Sequence, residues 1–236
     1  MRARKWIRFL YNLIKMKKYL IIGQGSQTIQ FIRELYSIGM TPNQLRIITL
    51  KGDANNSFLE FIKYYEINYI TCINKDFDFK IDKILKEDNF NMVISFSNPF
   101  IIKSRHLNKS VFINFHPGKL PNYRGSFSTV HSMIHREKEV GGTWHYIDEK
   151  VDMGNIIKSV HLPNRKNSTA FSLNHQIFNK GIKVFCDVLD FVENKNKGIK
   201  QRKSEGKFFK NKFPDLSIIT DEELKYRINF FPPKFN

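Results

Sequence analysis

From residue 19 the chain alternates short apolar runs with segments of helical period. Tyr19-Leu20-Ile21-Ile22 shows no polar alternation, so it reads as a strand covered on both faces and stopped by Gly23. The segment 27–38 then places Ile29, Ile32, Leu35 and Tyr36 on one helical face. Leu45–Leu50 and Ile67–Cys72 repeat the strand pattern around a helix at 57–65. Phe77, Ile81, Ile84 and Leu85 predict a helix over 77–87, and Met92–Phe96 and Val111–Phe115 add two more buried strands. Strands and helices in alternation imply parallel strands joined by crossovers, an open doubly wound α/β sheet with helices on both faces.

Beyond residue 125 the pattern predicts a helix at 126–136, strands at 140–147 and 155–161, and one long helix over about 168–193. Phe171, Phe178, Ile182, Phe185, Leu189 and Val192 form a continuous stripe along that last helix. Residues 194–206 are polar and basic without periodicity, and the remainder is aromatic-rich and punctuated by Pro214, Pro232 and Pro233. The expected organisation is a basic N-terminal extension at 1–17, a catalytic domain at 18–195 and a short C-terminal extension at 196–236. The first stretch, MRARKWIRFLYNLIKMKK, suits neither a signal peptide nor the core pattern, because Arg8 interrupts its apolar run. A basic amphipathic helix on an anionic membrane is the alternative to a dispensable extension ahead of Met16.

Composition changes this picture little. Apolar residues at 41% and 22 Phe are enough for a sizeable core, and charged residues at 26% fit a globular chain. No apolar stretch is long enough for a membrane span. Charge adds more: 39 Lys and Arg against 22 Asp and Glu give +17, which suits an anionic partner but also a compositional bias toward Lys and Asn. Cys72 and Cys186 stand alone, so a cytoplasmic compartment is expected, without a disulfide framework.

Three motifs carry candidate chemistry. Gly23-Gln24-Gly25-Ser26-Gln27-Thr28 is a partial dinucleotide fingerprint with Thr28 in place of the third glycine. Its second strand ends at Lys51 with Asp53 beyond, so a tight strand-to-helix turn is the simpler reading. His131 and His135 have the spacing of a zinc pair but lack the following Glu, and no metal is expected. The informative stretch is VFINFHPGKLPNYRG at 111–125. Asn114 and His116 project from one side at the carboxyl end of a buried strand, where open α/β sheets bind ligands. An amide beside an imidazole suits acyl chemistry, the amide stabilising an oxyanion and the imidazole handling a proton. Of Asp148, Glu149 and Asp152, the last lies nearest the Gly154 turn and is the carboxylate best placed to orient His116.

VFINFHPGKLPNYRG followed by TWHYIDEKVDMGNII resembles the 10-formyltetrahydrofolate-dependent formyltransferases. The resemblance covers roughly residues 18–195 and implies a Rossmann-like formyltransferase sheet. Residue by residue, it implies a triad of Asn114, His116 and Asp152, with LPNYRG at 120–125 matching the family's loop signature. Gly118-Lys119 departs from the residues many relatives carry there. The resemblance implies a folate cosubstrate, 10-formyltetrahydrofolate, held near Phe96, Ser97 and Asn98 and near Ile147, Asp148, Glu149 and Lys150, with no metal.

The residues after 195 are too few for the nucleic-acid-binding barrel of the initiator-tRNA members. The tail instead resembles that of sugar N-formyltransferases, which implies substrate contacts at Lys119, Tyr123, Arg124, Arg227, Phe230 and Phe231. The expected acceptor is a nucleotide-linked amino sugar, dTDP-4-amino-4,6-dideoxyglucose foremost, for surface polysaccharide such as the O-antigen of lipopolysaccharide. Expected partners are that sugar nucleotide and folate, without nucleic acid or stable membrane insertion; a homodimer is compatible. A purine-pathway phosphoribosylglycinamide formyltransferase is the alternative within the family, and a non-catalytic nucleotide- or RNA-binding module the alternative outside it.

Overall fold

Tyr19, Leu20, Ile21 and Ile22 are completely buried, which explains why β1 (Tyr19–Gly23) carries no polar alternation. The computed structural model describes residues 17–52, 55–202 and 204–229. Residues 1–16, Asp53, Phe230 and Phe231 lie outside the described residues, and the readings attached to them stay expectations. By its contacts the chain divides into two compact units, one ending at Asn114 and the other beginning at Phe115.

In the first unit β1 is followed by α1 (Gly25–Ser37), β2 (Leu45–Leu50), α2 (Asn56–Tyr64), β3 (Asn68–Cys72), α3 (Phe77–Glu87) and β4 (Met92–Phe96). β1 pairs in parallel with both β2 and β4, and β2 with β3, giving the order β3-β2-β1-β4. Right-handed crossovers from β1 out to β3 put α1 and α2 on one face, where they pack together. The return crossover from β3 to β4 puts α3 on the other. The order reverses between β1 and β4, which makes the carboxyl ends of those strands the switch point.

The Gly23 turn belongs to that packing. A Cβ at Gly23 would run into the Phe96 carbonyl oxygen, and Thr28 donates its hydroxyl to Phe96 O (3.1 Å) and Gln24 O (2.8 Å). Asn55 Oδ1 accepts from the Gly25 N–H (3.1 Å) while its amide nitrogen donates to Thr49 Oγ1 (2.7 Å). A side chain of the protein therefore already meets the helix start that would otherwise face an anion. The simpler reading of this motif, a tight strand-to-helix turn, describes what these contacts build.

β5 (Val111–His116) crosses from one unit into the other. The second unit continues with β6 (Tyr123–Gly125), α4 (Ser128–Ile134), β7 (Glu139–Tyr146), β8 (Ile156–Pro163), α5 (Ala170–Lys183), α6 (Phe185–Glu193), β9 (Lys207–Phe209) and α7 (Glu222–Asn229). β7 and β8 form an antiparallel hairpin. The sheet is thus mostly parallel, as the pattern implies. The predicted long helix is two: it breaks at Val184, whose backbone leaves the helical range between α5 and α6. Phe171, assigned to its apolar stripe, is 50% exposed although Phe178 one heptad on is buried; in the first turn of α5 it is Ala170 and Leu173 that are buried. Among the described residues no helix is long and apolar enough to cross a membrane.

An aromatic cluster sets the rotation of β5 in this unit. Phe115 packs on Trp144 (ring centroids 5.2 Å) and Phe178 (5.4 Å), with Gly142 and Gly181 leaving room for its ring. With Phe115 turned inward to this cluster, the pleat turns His116 to the opposite side.

Replacing Gly23 by Ala forces the β1–α1 turn off the Phe96 carbonyl and should cost roughly 1–3 kcal/mol. Urea unfolding measures this; an unchanged midpoint would show that the turn yields freely.

Candidate active site

Asn114 and His116 lie two residues apart on β5 and so share one side of the strand. Asn114 is anchored by Ser95 of β4, whose hydroxyl donates to Oδ1 at 2.6 Å. That bond fixes the amide's orientation and makes Nδ2 its donor end. Ser95 is the one polar side chain in the run Met-Val-Ile-Ser-Phe, a signal that its hydroxyl has a partner to reach. Ser95 Oγ also accepts from Asn98 Nδ2 (3.1 Å).

His116 is buried, with acceptors at both ring nitrogens. Nε2 lies 2.5 Å from the Tyr123 carbonyl and 3.1 Å from Ser128 Oγ. A carbonyl can only accept, so Nε2 carries the proton and Nδ1 is the basic atom of the neutral ring. Nδ1 faces Asp152 Oδ2 at 3.4 Å. Burial pushes the His116 pKa below the ordinary imidazole value, opposed by the Asp152 charge and the Tyr123 carbonyl. The ring is therefore neutral at pH 7, with a carboxylate waiting where a new proton would arrive.

Asp152 sits in the β7–β8 turn at φ +54°, a left-handed conformation that Asp tolerates but does not prefer. Its Oδ2 accepts from the Gly125 N–H at 2.7 Å, and its Oδ1 lies 3.5 Å from His145 Nε2. Burial pushes the carboxyl upward, but His116, His145 and the Gly125 N–H outweigh it and hold Asp152 well below the usual carboxylate range. The carboxylate is charged, buried and bracketed by two imidazoles.

His145 carried no sequence signal. Trp144 and His145 are both buried because β7 is covered on both faces from Val140 to His145, and the register against β8 shifts between the two residues. Such irregularities often re-aim a side chain beside a site. His145 Nδ1 faces the Tyr146 carbonyl at 2.7 Å, which fixes the ring.

The C-terminal extension is woven into this region. β9 pairs in parallel with β6, and Ile199 bridges Ile156. Gln201, buried in a stretch whose sequence reads only as polar, donates Nε2 to the carbonyls of Asp152 (3.0 Å) and Gly154 (2.7 Å).

The other expected site residues occupy strand ends, loops and α7. Phe96 ends β4 fully buried, Ser97 adopts φ +53°, and Asn98 uses its side chain to close a turn on Phe100. Ile147, Asp148, Glu149 and Lys150 occupy the outer part of the β7–β8 turn, with Asp148 accepting from the Glu149 N–H. Tyr123 donates its hydroxyl to Glu137 (2.7 Å), and burial with Glu137 pushes its phenol upward. Arg124 is buried and donates to the carbonyls of Arg202 and Glu205 in the tail. Arg227 donates to Ser168 O, Asn164 Oδ1 and Arg165 O, tying α7 to the loop before α5. The side chains of Tyr123, Arg124 and Arg227 are thus engaged by the protein itself. Lys119 borders an open cavity of about 550 Å³ with His135, Arg136, Glu137, Lys138 and Glu139.

His131 lies against Phe209 of β9, ring centroids 3.7 Å apart and nearly parallel, while His135 Nδ1 is 3.1 Å from the Tyr123 hydroxyl. The helical pair is used to dock the tail and the β6 loop. Burial, with a smaller contribution from His135, pushes the His131 pKa down to about 4.

Residues 74–189 match the family model described as formyl transferase. A GDP-perosamine N-formyltransferase from Brucella melitensis is 25% identical over 92% of this chain and 86% of its own length. The Helicobacter canadensis N-formyltransferase, solved with folinic acid and dTDP-3-aminofucose, superimposes with TM-score 0.70 at 23% identity, over 85% of this chain and 73% of that one. WlaRD, a sugar 3N-formyltransferase solved in the presence of dTDP and 5-N-formyl-THF, gives TM-score 0.69 at 25% identity, over 85% and 72%.

The depressed His131 pKa has a consequence for stability. A base whose folded pKa lies below its unfolded value stabilises fully above about 6.5, and that stability is lost as pH falls toward about 4. His131→Phe keeps an aromatic ring against Phe209 and removes the titration. Denaturant unfolding from pH 7 to 4 should then fall less steeply than in the wild type; identical slopes would mean that His131 does not report on folding.

Proposed function

We propose that this chain, whose residues 74–189 match the formyl transferase family model, transfers a formyl group from 10-formyltetrahydrofolate to the amine of a nucleotide-linked amino sugar. The observation that carries the reading is the pairing of His116 with Asp152, beside an Asn114 whose amide has a defined donor end. The sugar as acceptor rests on relatives of that activity aligned over most of the chain. We take dTDP-4-amino-4,6-dideoxyglucose as the first acceptor to test, and a GDP-linked amino sugar as its rival, with surface polysaccharide as the product's destination and the cytoplasm as compartment.

In this reading the acceptor amine attacks the formyl carbon, and the formyl oxygen gains charge. Asn114 Nδ2 donates to that oxygen, a contact strongest in the transition state. The attacking nitrogen becomes cationic and must lose a proton. His116 accepts it at Nδ1, directly or through a water shared with Asp152, and the imidazolium formed is stabilised by the carboxylate. His116 then returns the proton to the departing folate nitrogen as the carbon–nitrogen bond of the donor breaks, leaving tetrahydrofolate and the formylated sugar. The lowered His116 pKa suits this work: the ring is neutral and ready at pH 7, yet Asp152 keeps protonation accessible.

Incubation with 10-formyltetrahydrofolate and a panel of dTDP- and GDP-linked amino sugars should yield a formyl mass increment on at least one of them. No transfer to any sugar, but transfer to glycinamide ribonucleotide, would favour the purine-pathway alternative. With the accepted sugar, Asn114→Ala should lower kcat by about 10²–10³ and His116→Asn by about 10²–10⁴, with little change in stability. Near-normal turnover in both variants would sink the reading.

A further inference from the structure

We infer that Gln201, supplied by the C-terminal extension, is a positioning residue for the reaction: its amide clamps the turn that aims the Asp152 carboxylate at His116. The inference rests on the catalytic reading of Asp152 and extends it to a segment outside the family-matched residues 74–189.

The geometry is specific. One Nε2 group donates to two carbonyls, those of Asp152 (3.0 Å) and Gly154 (2.7 Å), and so closes both ends of a three-residue turn. Two carbonyl acceptors leave no choice about which end of the amide faces the turn. Between them the backbone holds Asp152 at φ +54°, a left-handed conformation that persists where the surroundings enforce it. The same residue's Oδ2 is fixed by the Gly125 N–H. The main chain is therefore held from the tail, and the side chain from β6.

The other half of Gln201 argues against a role in stability alone. Its Oε1 is buried without a hydrogen-bond partner, an unfavourable state for a glutamine retained only for packing. The residue is 6% exposed. A methionine of similar shape would fill the site without an orphaned acceptor. What methionine lacks is the pair of N–H groups aimed at the Asp152 turn. Nearby, Asn155 ties the same hairpin to the tail through Lys197 O (2.7 Å) without touching Asp152, and it serves as the structural control.

The test compares Gln201→Met, Gln201→Glu, Asn155→Ala and Asp152→Asn by melting temperature, kcat, the KM of both substrates and the pH dependence of kcat. Gln201→Met should stay folded, with KM nearly unchanged and kcat lowered about tenfold or more, because small misplacements of catalytic groups are costly. Its acid limb should move to lower pH, since a carboxylate that drifts from His116 no longer raises the imidazole pKa. Gln201→Glu, of the same shape but with an oxygen facing both carbonyls, should be slower still. Asn155→Ala should retain kcat and pH profile. A folded Gln201→Met or Gln201→Glu with wild-type kcat and acid limb overturns the inference, provided Asp152→Asn is inactive; an active Asp152→Asn overturns the catalytic reading itself. Loss of kcat in Asn155→Ala equal to that in Gln201→Met would reduce Gln201 to one more tie between tail and hairpin.

Discussion

A buried carboxylate needs partners, and the arrangement around Asp152 answers that requirement. An unpaired charge in a dry interior is too costly to persist. Asp152 accepts from the Gly125 N–H and faces the imidazoles of His116 and His145 at 3.4 and 3.5 Å. Each partner brings its own constraint. Gly125 brings the β6 loop, His145 brings the irregularity in β7, and His116 brings the end of β5. The tail joins through the main chain of the same residue. Where Asp152 goes, these elements go with it.

The balance at His116 is the chemical consequence. Burial alone would make the ring a poor base; the facing carboxylate alone would leave it protonated. Together they give a neutral imidazole whose Nδ1 accepts a proton into a position already compensated. Asn114 contributes differently, through a preset dipole. Its Oδ1 accepts from the Ser95 hydroxyl, which fixes the end of the amide that donates in the proposed reaction.

Much of this was legible in the sequence. β1 and β4 track the unbroken apolar runs because both are buried along their whole length, and Asn114 and His116 share a side because strand period is two. The turn around Gly154 pointed to Asp152 through local chemistry and family resemblance. What was hidden depends on contacts between residues distant in the chain. His145 lies in a strand covered on both faces, so no alternation marks it, and the register shift beside it depends on the pairing with β8. Gln201 lies in a polar run whose composition says nothing of a partner near residue 152. The break at Val184 interrupts a stripe that continues in phase, so periodicity alone sees one helix. The motif residues Tyr123, Arg124 and Arg227 carry recognition chemistry in their side chains, yet they bond to the protein's own carbonyl and carboxylate groups. Asn55 likewise meets the Gly25 N–H from 30 residues away. Composition ranks what a side chain can do; packing decides what it does.

The claim that His116 and Asp152 act as one unit is tested most directly by a double-mutant cycle on kcat with His116→Asn and Asp152→Asn. If the carboxylate works by stabilising the proton that His116 accepts, removing it matters little once the imidazole is gone. The double variant should then be only slightly slower than the slower single variant, far from the product of the two losses. Losses that multiply would contradict the account, showing that Asp152 serves the reaction independently of His116.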